Sequence, residues 1–184
     1  MAFRNSSRPA PKPIDAARLE ELALAYVARF ATSAAKLDGY LRRKLRERGW
    51  AGEGEAPVAA TVARYVELGY VDDAAFARAK SGSLLRRGYG NRRVDQALGA
   101  AGIDEALREE VRAGRAEQRR AALALARKRR LGPFATAAPD RAAREKQLAA
   151  LLRAGHPLDI ARELINFESV DAAEDWAAAN EDDE

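Results

Sequence analysis

Three glycines, Gly49, Gly102 and Gly155, are spaced 53 residues apart. Four residues before each stands a leucine: Leu45, Leu98 and Leu151. Eight residues before stand Leu41, Val94 and, breaking the pattern, Gln147. One residue after stand Trp50, Ile103 and, more weakly, His156. Apolar residues four apart share one helix face. A glycine just past a helix end can take the left-handed conformation that closes it, and an apolar residue after it folds back on the last turn. The same helix stop and entry into a following helix therefore recur three times. This predicts an all-α chain of three tandem three-helix repeats, elongated because each unit rests on its neighbour.

The periodicity of the apolar residues agrees. Leu19, Leu22, Ala23, Tyr26, Val27 and Phe30 make one face of a helix over about 15–31. Thr32 or Ser33 can cap a second helix containing Leu37, Tyr40, Leu41 and Leu45, and Pro57 opens a third that Gly69 ends. Asp72 starts a helix containing Phe76, Gly88-Tyr-Gly90 interrupts the chain, and Asn91 caps a helix containing Val94 and Leu98. A helix near Asp104, a basic helical stretch to about Arg130, and helices over about 140–154 and 157–167 follow. No strand is expected. Alanine accounts for 43 of the 184 residues, leaving about 24% bulky apolar residues. That supply suits narrow helical stripes better than one large core. The expected organisation is a flexible basic arm at 1–14, repeats at 15–70, 71–115 and 116–170, and an acidic tail at 171–184.

Several chemistries are excluded early. There is no cysteine, hence no disulfide, zinc-thiolate site or thiol nucleophile, and one histidine, His156, which excludes a multi-histidine metal site. His156 reads as a turn or N-cap residue. Nothing resembles a phosphate loop, so neither enzymatic activity nor a cofactor is expected. No run approaches a membrane span, and the N-terminus lacks the apolar stretch of a secretory signal. A cytoplasmic monomer is expected.

The formal charge of +4 divides as +3 over residues 1–14, +8 over 15–170 and −7 over 171–184. A basic body suggests a polyanion, or a protein bound to one, as partner. Three clusters supply candidate contacts. Arg42, Arg43 and Arg46 face outward on the second helix, because Leu41 and Leu45 face the core. Arg86, Arg87, Tyr89, Arg92 and Arg93 surround the Gly-x-Gly turn, where cations and an aromatic near a helix start can hold phosphates. The segment from Arg112 to Arg130 is densest, with Arg112, Arg115, Arg119, Arg120, Arg127, Lys128, Arg129 and Arg130 against one acid, Glu117. Repeat symmetry would merge the first two clusters into one stripe. Asp72 and Asp73 read as an N-cap and a first-turn acid rather than a metal pair. The acidic tail reads as a solubilising or self-shielding segment, and Trp176 as part of a weakly ordered helix.

Gly69-Tyr-Val-Asp-Asp-Ala-Ala-Phe-Ala77, followed by the run from Arg86-Arg-Gly-Tyr-Gly-Asn-Arg-Arg-Val through Leu98 to Gly102-Ile103, resembles the signature of the RecX family. Those bacterial proteins modulate the RecA recombinase. The resemblance covers about 15–168 and is strongest over 57–103. Asn91 stands where family members often carry proline. It implies tandem three-helix repeats in which Gly49, Gly69, Asp72, Asp73, Phe76, Leu98, Gly102 and Ile103 are structural. It also implies a non-enzymatic partner of RecA and of the RecA–single-stranded DNA filament. Such a regulator suppresses RecA's ATPase, strand-exchange and co-protease functions by blocking filament growth or loosening the filament. Arg42, Arg43, Arg46, Arg86, Arg87, Tyr89, Arg92, Arg93, Arg119, Arg120, Arg127 and Lys128 become candidate filament or DNA contacts, and weak direct DNA binding is expected beside them. The rival reading is a RecA-independent DNA-binding module of tandem helix-turn-helix type, with Asp95 and Gln96 as base readers.

Overall fold

The computed structural model describes residues 12–137 and 139–179. Among these there are ten α-helices and one short 3-10 turn, with no strand beyond an isolated parallel bridge between Ile14 and Trp50. The chain divides into two compact units, one ending at Asp73 and one beginning at Ala74.

The first unit holds α1 (Ala16–Arg29), α2 (Ala34–Arg48) and α3 (Val58–Glu67). Asp15 and Ser33 cap the first two through side-chain oxygens that accept from the Arg18 and Lys36 N–H groups. The predicted stripes meet in one core, with Leu19, Leu37 and Leu41 essentially solvent-free. Each buried leucine contributes about 1.5–3 kcal/mol. Three features differ from expectation. Ile14 belongs to this core, fully buried, and its N–H donates to the Gly49 carbonyl while its carbonyl accepts from Ala51 N–H. The predicted arm therefore does not extend to 14: an apolar residue directly after a run of prolines docks beside the helix stop. Residues 1–11 lie outside the described set. Val71 also belongs here, its N–H donating to the Tyr65 carbonyl after Gly69 turns the chain at φ +74°. Asp73 does more than supply a first-turn acid to the following helix, since its Oδ1 accepts from Ala34 N–H at the start of α2, 2.8 Å away.

The second unit holds two cores. The first gathers α4 (Asp73–Arg86), α5 (Asn91–Gly99) and α6 (Glu105–Glu110) around Ala77, Val94, Leu98 and Ile103, with Phe76 packed against them. The second gathers α7 (Arg115–Arg129), the turn at Gly132–Phe134, α8 (Arg141–Arg153), α9 (Leu158–Asn166) and α10 (Val170–Ala178) around Leu125, Leu151, Ile160 and Leu164. The predicted acidic tail is corrected by α10. Ser169 caps it, Ala173 and Ala177 are buried, and the Trp176 ring lies 5.5 Å from that of Phe167. Alternating small residues let this acidic helix lie close on the alanine-rich face of α7. Residues 180–184 lie outside the described set.

All three period glycines have positive φ, at 80°, 73° and 97°. Ile103 N–H donates to Leu98 and His156 N–H to Leu151, the six-to-one closure expected of such stops. The first stop differs: Gly49 N–H donates to Leu45, and Trp50 is drawn into the bridge with Ile14.

Candidate polyanion interface

The Gly-x-Gly turn is a seam between the two cores of the second unit. Gly90 N–H donates to the Ala154 carbonyl at 3.0 Å and Arg92 N–H to that of Gly155 at 3.3 Å. A Cβ on Gly90 would lie 2.4 Å from the Gly155 carbonyl carbon, and one on Gly155 would lie 2.5 Å from Arg93 N. Two backbones meet where no side chain fits. His156 secures this seam. It is 4% exposed, and its Nε2 lies 3.0 Å from the Gly88 carbonyl. That acceptor requires a proton on Nε2. Burial pushes its pKa below the ordinary value, against the opposing pull of the Gly88 carbonyl.

Asn91 does not cap α5; Gly90 holds the cap position. The Asn91 side chain is buried instead, its Nδ2 donating to the Ala113 carbonyl (2.8 Å) and its Oδ1 accepting from Ala113 N–H (3.2 Å). An amide can satisfy the backbone donor and acceptor of one residue at once, which a proline side chain could not.

The predicted contact residues separate by what already holds them. On α2, Arg42 is bound by Asp38 at 2.7 Å, a contact that raises its pKa further. Arg43 lies 3.9 Å from Glu47 and over the Tyr40 ring. Arg46 is exposed and makes no ion pair among the described residues. In the second unit, Arg92 is partly structural, its Nη2 donating to the Leu152 carbonyl at the end of α8, 2.8 Å away. Arg112 pairs with Glu109, and Arg115 with Asp159. Arg127 pairs with Glu174 of α10 and lies over the Phe134 ring. Arg119 is withdrawn from the surface altogether. It is 3% exposed, with its guanidinium 5.5 Å from the Trp176 ring centre. Its position faces α10, a helix read from the sequence as part of a tail.

Arg86, Arg87, Arg93, Arg120 and Lys128 remain exposed and without an ion pair among the described residues. Arg87 lies over the half-buried Tyr89 ring at 5.6 Å, while Tyr89 itself packs against both cores. Two clusters that are separate in sequence meet here. A cleft of about 330 Å³ between α4 and α7 has Gly82, Leu85, Ala121 and Ala124 as its floor. Arg86 stands on one wall, with Arg120 and Glu117 on the other. Two guanidinium groups facing one cleft suit a phosphate or carboxylate oxygen pair. The arrangement offers positive charge to an anion. Among the described residues no group of acids and histidine is placed to hold a metal ion.

The helix-turn-helix rival meets an obstacle. A recognition helix presents its N-terminal residues to base edges. The N-terminus of α5 is instead buried in the glycine seam, and Asp95 is held by Arg108 at 2.7 Å. Sequence reasoning overlooked that pair because it spans two helices.

Comparisons with known proteins bear on the family and the fold. Residues 72–111 match the family described as RecX, second three-helix domain. That stretch runs from the start of α4 through α6. The regulatory protein RecX of Thermus thermophilus is 40% identical over 89 residues, covering 48% of this chain and 59% of that protein. The crystal structure of RecX from Lactobacillus salivarius superposes with a TM-score of 0.65 over 81% of this chain and 93% of that one. At 19% identity this is a likeness of fold. The regulatory protein RecX of Myxococcus xanthus is 35% identical over 165 residues, covering 85% of this chain and 88% of that protein. The chain therefore belongs to the RecX family of regulatory proteins.

Proposed function

We propose that this protein is a negative regulator of a RecA-type recombinase. It binds the RecA–single-stranded DNA filament and inhibits ATP hydrolysis, strand exchange and co-protease activity, by blocking extension or promoting disassembly. It acts in the cytoplasm, as a monomer, through binding rather than catalysis. Family membership supports the partner. The observation that carries the contact surface is the α4/α7 cleft, where Arg86 of the family motif and Arg120 of the basic helix stand unpaired around one opening. A filament offers both acidic protein surface and phosphate, and unpaired guanidinium groups serve either. Arg87, Arg93 and Lys128 are further exposed cations of the second unit, and Arg46 is one on the first. The test is RecA's DNA-dependent ATPase in the presence of an Arg86→Glu, Arg120→Glu double variant. Reversal of both charges should weaken inhibition about tenfold or more while the melting curve stays unchanged. Full inhibition by the folded variant would remove this cleft from the contact surface.

A further inference from the structure

A second cleft lies C-terminal to the family motif in sequence, between α8 and α9. It measures about 330 Å³. Leu148 and Ile165 form its floor, Pro139 closes one end, and Arg141, Arg144 and Arg162 stand around the rim. Neither the glycine period nor the predicted basic clusters include these arginines.

We propose that this cleft docks an acidic peptide segment carrying an apolar side chain, supplied by a partner protein. The floor asks for the apolar group. Leu148 and Ile165 belong to the core of α7–α10, yet both line an opening that water fills when nothing else does. A leucine-sized side chain entering it removes apolar surface from water on both partners. The rim asks for carboxylates. Its one acid, Glu145, lies 3.4 Å from Arg141 and is already engaged. Arg144 and Arg162 make no ion pair among the described residues. The cleft therefore presents two free guanidinium groups above an apolar floor, which is the complement of an acid flanking an aliphatic residue. Its shape suits an extended chain. It continues into a second hollow of about 530 Å³ that shares Arg144 and Ile165 and runs on past Pro133 and Phe167.

A nucleic acid fits less well. Phosphates would satisfy the arginines, but single strands bind by stacking bases on aromatic rings, and none lines the first cleft. The site is distinct from the α4/α7 cleft, and its test does not involve RecA.

Fluorescence anisotropy on the full chain decides it. The probe is a fluorescein-labelled peptide of mixed aspartate and glutamate with one central leucine. Saturable binding is expected, weakened about tenfold by Arg144→Glu or by Arg162→Glu. Replacing the leucine of the peptide by serine should also weaken it about tenfold. Arg144→Gln and Arg162→Gln, which leave the fold's charge pattern less disturbed, should give smaller losses in the same order. Absence of saturable binding would overturn the proposal, as would equal binding by the reversed variants. Equal binding of the serine peptide would show a general attraction between charges and overturn it too. A labelled oligothymidylate that displaces the peptide, and is itself weakened by the same reversals, would assign the cleft to nucleic acid instead.

Discussion

His156 is the only histidine of the chain, and its pKa lies below the ordinary value because it is buried against the glycine seam. The unfolded chain binds its proton at 6.5; the folded chain resists until lower pH. Between those values the unfolded state holds more protons, so stability rises with pH there. The contribution is complete above 6.5 and is lost as pH falls below it. Each pH unit across that window is worth at most about 1.4 kcal/mol. Denaturant unfolding at pH 7 and pH 5 should show the decline, and His156→Gln, which keeps a donor for the Gly88 carbonyl, should flatten it. Equal slopes in the two proteins would sink this assignment. Glycines give a paired test at the same scale. Gly155→Ala forces a Cβ to 2.5 Å from a backbone nitrogen at φ +97°, and should cost about 2–4 kcal/mol. Gly39→Ala lies inside α2 with nothing within 4 Å, and should stabilise by about 0.5–1 kcal/mol. The left-handed stop at Gly155 was legible from its spacing with Gly49 and Gly102. Its close approach to Gly90 was not, because it joins residues far apart in sequence.

At the scale of elements, α10 is where reading and structure part most. Seven acids in fourteen residues look like a tail, because charge density outweighs a thin apolar signal. The signal was nonetheless present. Ala173, Trp176 and Ala177 recur at three and four residues, and Ser169 precedes them at capping distance. What hid it was the size of the buried residues: alanines need only the flat alanine face of α7, not a deep groove. The basic partner of this face, Arg119, was misread for the same reason. Removing 170–184 should therefore expose the α7 core and lower the melting temperature by several degrees, about what 2 kcal/mol gives for a chain of this size. An unchanged melting temperature would restore the tail. Shielding is separable from folding. Glu174→Gln releases Arg127 and should strengthen single-stranded DNA binding at low salt with little change in melting. An unchanged affinity and salt slope would show that Arg127 takes no part.

At the scale of the molecule, the described residues up to 115 form two cores, one from Ile14 to Val71 and one from Ala77 to Ile103. A further core, from Ala122 to Ala173, takes in four helices and a 3-10 turn rather than three helices. Helix order was readable because each helix carries its own stripe and stop. Which cations remain free was not readable, since Arg92, Arg112, Arg115, Arg119 and Arg127 are held by groups that only the folded chain brings near. The proposed contact surface therefore rests on the cations left after internal pairing, of which Arg86 and Arg120 line one cleft. The measurement that bears most directly on this account is RecA's DNA-dependent ATP hydrolysis, titrated with this protein well below one per RecA. Inhibition at such ratios, weakened about tenfold by reversing Arg86 and Arg120, is the expected result. Undiminished hydrolysis at and above equal concentrations, with the protein folded, would contradict it.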